Sequence, residues 1–212
     1  MFWNRSKKCN KGQFDHLLSV ARKLPTCALP DLIRAISRPI QSDFLLAVAE
    51  EGTDARPDMT PSEFFFNGLS KILDYQKLKQ CEKNPRDYLL FLATDVVLPW
   101  PWSLSRYINC ISDIGTHKGT PWKQDYLNHY VDLWLPWKIG FVRGGNHSIT
   151  AGILAGEGIV VPKYVYDMSY LFDIVCTDGV YWFINGSKVE KVSSARSAAV
   201  FEIGRLISTS TQ

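Results

Sequence analysis

FVRGGNHSITAGILAGEGIVVPKYVYD, Phe141 to Asp167, is the stretch around which the rest of the chain is read. An apolar, strand-like run (Trp137, Ile139, Phe141) leads into Gly144-Gly145, then Asn146-His147-Ser148, and then Ile149, Ala151, Ile153 and Leu154 at helical spacing. Strand, glycine turn and helix start, in that order, make an arrangement that can hold an anion. Two glycines let backbone approach a ligand closely, and the unpaired amides of a first helical turn point outward with the positive end of the helix dipole. Asn146 or Ser148 is the expected helix cap. Gly156 or Gly158 stops the helix, and Ile159 to Pro162 with Tyr164, Val165 and Tyr166 reads as a second strand ending at Asp167.

Gly145, Asn146, His147 and Ser148, followed by Ala151, Gly158, Val161 and Pro162, resemble the signature of the ParB/sulfiredoxin fold. There a Gly-x-His-Arg-like turn opens a helix and a Gly…Val-Pro-Val strand follows. The resemblance implies an α+β fold: a ParB/sulfiredoxin-like mixed domain with an N-terminal helical region and a C-terminal β-meander plus helix. It also implies that the turn binds nucleotide phosphates, which makes Arg143, Gly144, Gly145, Asn146 and Ser148 the candidate ligands. Ser148 stands where the family has an arginine, and Arg143 is the residue placed to supply that charge from the other side of the turn.

The same resemblance implies nucleoside triphosphatase or DNase activity, with ATP or another nucleoside triphosphate and Mg2+ as cofactor and nucleotide or DNA as partner. In size and architecture the chain is similar to the fertility-inhibition factors of conjugative plasmids, which implies a cytoplasmic inhibitor of DNA transfer through a type IV secretion system. A non-catalytic inhibitor or adaptor that binds a protein through the same fold is the alternative. Sulfiredoxin chemistry needs a cysteine in the turn, where this chain has Asn146 and His147. His147 is the candidate catalytic residue, able to take or give a proton near neutral pH; the competing role is a histidine that locks the turn by hydrogen bonds.

The 212 residues, nearly half of them apolar, are enough for a substantial core, divided here into a helical region, 1–90, packed on a main domain, 91–212. A net charge of +3 permits contact with nucleic acid without requiring it. The five cysteines are scattered without zinc or redox spacing and read as reduced, mostly buried cytoplasmic thiols. No apolar run approaches the roughly 18 residues that span a bilayer, so no membrane insertion is expected, and the start lacks a secretory signal pattern.

Ahead of the glycine turn, helices are expected at Phe14 to Leu24, Leu29 to Ile36 and Ser42 to Glu50, with a polar loop at Glu51 to Pro61. A longer helix from Phe64 to Lys79 follows, capped from Thr60 and carrying a core cluster of Phe64, Phe65 and Phe66. Tyr88 to Leu98 fits helix or strand. Leu104 to Ile114 reads as a helix carrying a solvated Arg106, Gly115 to Asn128 as a long functional loop, and Tyr130 to Trp137 as a strand. Beyond Asp167, the dipeptides Asp178-Gly179 and Asn185-Gly186 separate three strand-like runs and predict an antiparallel meander. Ser193 or Ser194 then caps a last helix, Ala195 to Ile207.

Five of the seven tryptophans fall between Trp100 and Trp137 among lysines and arginines. Lys118, Trp122 and Lys123 in the long loop are the nucleic-acid-binding candidates, with core packing as the equally economical role of tryptophan. The metal ligands are unknown: Asp125, Asp132, Asp167 and Asp173 qualify by location alone, and a divalent ion brought with phosphates needs few protein ligands.

Overall fold

The computed structural model describes residues 10–54, 61–73 and 75–209; Cys9 and the expected cap at Thr60 lie outside them. The chain is α+β. Helix α1, Asn10–Ala21, buries Phe14, Leu18 and Ala21, a stripe at spacings of four and three. The two short helices expected next are one, α2, Leu29–Glu51, with Pro39 inside it. An interior proline removes a backbone hydrogen bond and costs about 3 kcal/mol. Here the buried stripe Ile33, Ile36, Ser37, Gln41, Leu45 and Val48 runs straight through, so packing holds the helix together across the proline.

The helix expected over Phe64 to Lys79 is instead α3, Pro61–Phe65, a 3-10 turn at Asn67–Lys71, and α4, Tyr75–Gln80. Neighbouring residues on a helix point about 100° apart, so three adjacent phenylalanines cannot all enter one core from it. Phe66 is extended (φ −165°, ψ 148°), which breaks the helix and buries all three rings. Phe65 meets Phe201 edge to face at 5.3 Å, and Phe66 stacks on Trp182 at 4.5 Å.

Tyr88 to Leu98 resolves as strand: after β1, Glu82–Lys83, come β2, Leu90–Phe91, and β3, Val96–Leu98. Then follow α5, Leu104–Asp113; β4, Val131–Leu135; β5, Ile139–Val142; α6, Asn146–Ala155; β6, Ile159–Val160; and β7, Tyr164–Asp167. A five-stranded mixed sheet has the order β1-β7-β4-β5-β3, in which β3 runs parallel to β5 and β4 parallel to β7. Strand alternation sorts its side chains into two cores. Val96, Leu98, Trp134, Ile139 and Phe141 face the first, with α1, α2 and α3; Val97, Val131, Leu133, Val142 and Val165 face the second, with Ile149 of α6.

The chain ends with α7, Leu171–Ile174; the strands β8, Val175–Thr177, β9, Tyr181–Ile184, and β10, Ser187–Lys191; and α8, Ala195–Thr209. The three strands form the expected antiparallel meander, except that the first run, read as Phe172 to Thr177, becomes strand only at Val175 because Leu171–Ile174 is helical. Asn185 and Gly186 both take positive φ at the second turn, as a tight hairpin requires. Ser194 Oγ accepts from the Ser197 amide and caps α8 as expected. Buried Ala198, Ala199, Phe201 and Ile203 bring α8 into the first core beside α1 and α2, so the helices before residue 90 and the last helix share one interior. The four described cysteines are not mostly buried: Cys27 and Cys176 are exposed and Cys81 and Cys110 half-buried, because they sit in turns and on outer faces.

Candidate functional site

Parallel β3 and β5 deliver their carboxyl ends to the same edge of the sheet, so the helices that follow them, α5 and α6, start side by side and pack together. A crevice outside the carboxyl ends of parallel strands is where open sheets of this kind bind ligands. Two hydrogen bonds join the helix starts. Asn146 Oδ1 accepts from the Trp100 amide at 2.7 Å, and His147 Nε2 accepts from the Ser103 amide at 3.1 Å. Between the helices lies a cleft of about 450 Å³ lined by Trp102, Arg106 and Asn109 on one side and Gly145, His147 and Ser148 on the other. Among the described residues Arg106 is the charged side chain in that lining, and no carboxylate contributes to it.

Arg106 was expected to be merely solvated. It lies over the Trp102 ring at 5.2 Å, and that ring meets His147 edge to face at 5.4 Å. The legible signal was local: Ser103 Oγ accepts from the Arg106 amide as a helix cap, which puts Arg106 on the first turn. His147 is 8% exposed. Its Nε2 takes a hydrogen bond, so the neutral ring carries its proton on Nδ1, and among the described residues nothing accepts from that N–H. Burial, then the Arg106 charge, hold the His147 pKa below the usual histidine value.

The glycine pair lines the cleft and is also required by the chain's own packing. A Cβ on Gly144 would stand 2.6 Å from the Asn128 carbonyl oxygen, and one on Gly145 would stand 2.3 Å from His129 Cδ2. The chain's own atoms therefore approach both glycines closely. Gly145, at φ 76°, is itself the N-cap of α6, not Asn146 or Ser148, and it makes no side-chain cap bond. Asn146 is committed to Trp100, and Ser148 Oγ lies 2.6 Å from His129 Nε2 and 3.1 Å from the Gly145 carbonyl. His129 Nδ1 accepts from the Asp125 amide at 2.9 Å, which leaves the ring proton on Nε2, donated to Ser148. His129 therefore cannot serve as a base toward Ser148; the chain of bonds fixes the turn.

Arg143 stands apart from this cleft. Side chains alternate along β5 and its extension, so Arg143 follows Phe141 to the first face of the sheet, where it pairs with Asp132 at 3.7 Å. The three loop candidates also diverge. Trp122 is 8% exposed, stacks on His129 at 4.9 Å and donates from Nε1 to the Ser148 carbonyl at 2.8 Å, so its faces are unavailable to bases. Lys118 Nζ donates to the Ile114 carbonyl at 2.7 Å and to that of Ile111, satisfying the last carbonyls of α5. Lys123 is exposed.

The loop is pinned along its length. The Glu157 carboxylate accepts from the Thr116 and Trp122 amides, and Gln124 bonds the Val161 backbone in both directions. Among the described residues no group of three or more His, Cys, Asp or Glu could hold a metal ion, and no helix is long and apolar enough to cross a membrane. A family model described as a family of unknown function, DUF6710, matches residues 4–212. No curated protein and no solved structure matches the chain.

Proposed function

We propose that this chain, which belongs to the DUF6710 family of unknown function, is a nucleotide-binding protein that seats a phosphate in the cleft between α5 and α6. The observation that carries the reading is the convergence of Arg106, the first-turn amides of α6 and the Nδ1–H of His147 on one cavity to which no carboxylate contributes among the described residues. An arginine fork, helix amides and an imidazole N–H are all donors, and phosphate oxygens are acceptors only. The order strand, glycine turn, helix and Val-Pro strand supports a ParB/sulfiredoxin-like relationship and, with it, a nucleoside triphosphate carried with Mg2+, DNA as a further ligand, and a cytoplasmic role in restraining conjugative DNA transfer.

Of the two functional classes, binding without catalysis is favoured by one observation. His129 and Ser148 are committed to the turn, and His147 presents a proton while its basic nitrogen is occupied, so among the described residues the cleft holds no free base. Calorimetric titration with ATP and Mg2+ tests the binding. Arg106→Ala should weaken it about tenfold, the scale of a charge-assisted hydrogen bond of about 1.5 kcal/mol. Equal affinity in the variant and the parent would remove the cleft from the function, and phosphate release by the parent that is lost in His147→Ala would restore catalysis.

A further inference from the structure

A second cavity lies on the opposite face of the sheet and belongs to none of this. It is a groove of about 570 Å³, within the size range of small-molecule sites. Its floor follows from pairing register: parallel β4 and β7 align Asp132 with Tyr164 and Trp134 with Tyr166, and alternation puts all four side chains on one face. The Tyr164 and Tyr166 rings stack nearly parallel, 6.0 Å apart. Tyr130, Arg143 and Lys163 stand at the rim. Gly144 and Tyr130 form the partition from the α6 cleft, packed so closely that a Cβ on Gly144 would lie 3.0 Å from the tyrosine ring.

Asp132 is the group in this groove that lacks an explanation. Its side chain is 13% exposed, and its nearest opposite charge, Arg143 Nη1, is 3.7 Å away, beyond hydrogen-bond distance. Among the described residues its carboxylate accepts no hydrogen bond. Its oxygens are not sealed into the protein, so they are open to a guest in the groove. A strand carboxylate with two open oxygens, set beside parallel aromatic rings, fits a flat ring with two adjacent N–H donors on one edge. Among the described residues Arg143 and Lys163 outnumber the single carboxylate of the lining, which disfavours a cation as the guest.

We propose that this groove binds a planar heteroaromatic ligand of the guanine type, its paired N–H edge on Asp132 and its face on the Tyr164–Tyr166 platform, with Arg143 and Lys163 turned toward any anionic substituent. Asp132 selects the guanine edge because both carboxylate oxygens are acceptors, whereas adenine presents one donor beside one acceptor. Burial raises the Asp132 pKa to about 6 against the lowering effect of Arg143, so the acceptor is present at neutral pH and is lost under mildly acid conditions.

Calorimetry with guanosine and adenosine tests this, since a nucleoside carries no phosphate and does not engage the α6 cleft. Guanosine should bind saturably and at least tenfold more tightly than adenosine, and its affinity should fall as pH drops through 6. Arg106→Ala should change nothing. Asp132→Asn should weaken guanosine at least tenfold and shift the preference toward adenosine, because an amide offers one donor and one acceptor. Tyr164→Ala, at a half-exposed ring whose loss leaves the core intact, should weaken both nucleosides and serves if the Asp132 variant does not fold. Absence of saturable guanosine binding overturns the proposal. So does equal binding of the two nucleosides, or an affinity unchanged by pH and by Tyr164→Ala.

Discussion

Gly145 and Gly156 bound the same helix at nearly the same backbone angle, φ 76° and 68°, and differ in what surrounds them. An alanine in the left-handed region costs about 1–2 kcal/mol at either position, partly offset by about 0.4–1 kcal/mol from the stiffer unfolded chain. At Gly156 that is the whole effect, because a Cβ there meets nothing within 4 Å. At Gly145 the Cβ would stand 2.3 Å from a His129 ring held by the Asp125 amide on one nitrogen and by Ser148 on the other. Overpacking of that kind adds about 1–3 kcal/mol. Gly156→Ala should therefore cost about 1 kcal/mol and Gly145→Ala about 3 kcal/mol. Urea unfolding of both variants measures the difference, provided the slope with denaturant is unchanged. Equal losses, within about 0.5 kcal/mol, would show that His129 yields freely and that a glycine at 145 is not required by packing.

Lys118→Met removes the donor at the α5 carboxyl end and should cost about 1 kcal/mol in the same assay, while leaving the salt dependence of any DNA binding unchanged; a flatter salt slope would return Lys118 to a nucleic-acid surface. Burial lowers the pKa of His129 and of His147 below the unfolded value, so between the two values the unfolded chain binds more protons. Their contribution is fully present above about pH 6.5 and is lost as pH falls toward the depressed folded values. Asp132 acts with the opposite sign below about 6, so the measurement belongs in the Asp132→Asn background. Its urea midpoint should fall between pH 7.5 and 5.5, and a flat profile would refute the buried neutral imidazoles.

Periodicity made much of the fold legible. The strand, glycine turn and helix of residues 139–155, the meander with its Asn-Gly turn, and the capped last helix stand close to where the sequence puts them. The errors share a cause: tertiary packing overrode a local rule. A buried stripe carried α2 through Pro39, and three core-bound phenylalanines broke a helix that propensity would have continued. The site residues show the same limit. Gly144-Gly145 reads as a ligand turn in sequence, and only the position of Asn128 and His129 reveals a close approach within the chain. Strand alternation alone would have sent Arg143 away from His147 and placed Asp132, Trp134, Tyr164 and Tyr166 together, had the parallel pairing of β4 with β7 been known. Pairing between strands thirty residues apart leaves no trace in a single sequence.

The packing of α1 on α8 has a consequence for how the chain is made. Phe14 and Leu18 share their core with Ala198, Phe201 and Ile203, and closing so long a loop comes late because its entropy is lost before any contact forms. At a ribosomal rate of ~5–20 residues per second, the interval between the emergence of α1 and of α8 is on the order of ten to forty seconds. Throughout it one face of the central sheet has no α8 to cover it, so the first core is assembled only once α8 has been made, while the second, whose buried residues all lie between Leu90 and Val165, has all its parts some thirty residues sooner.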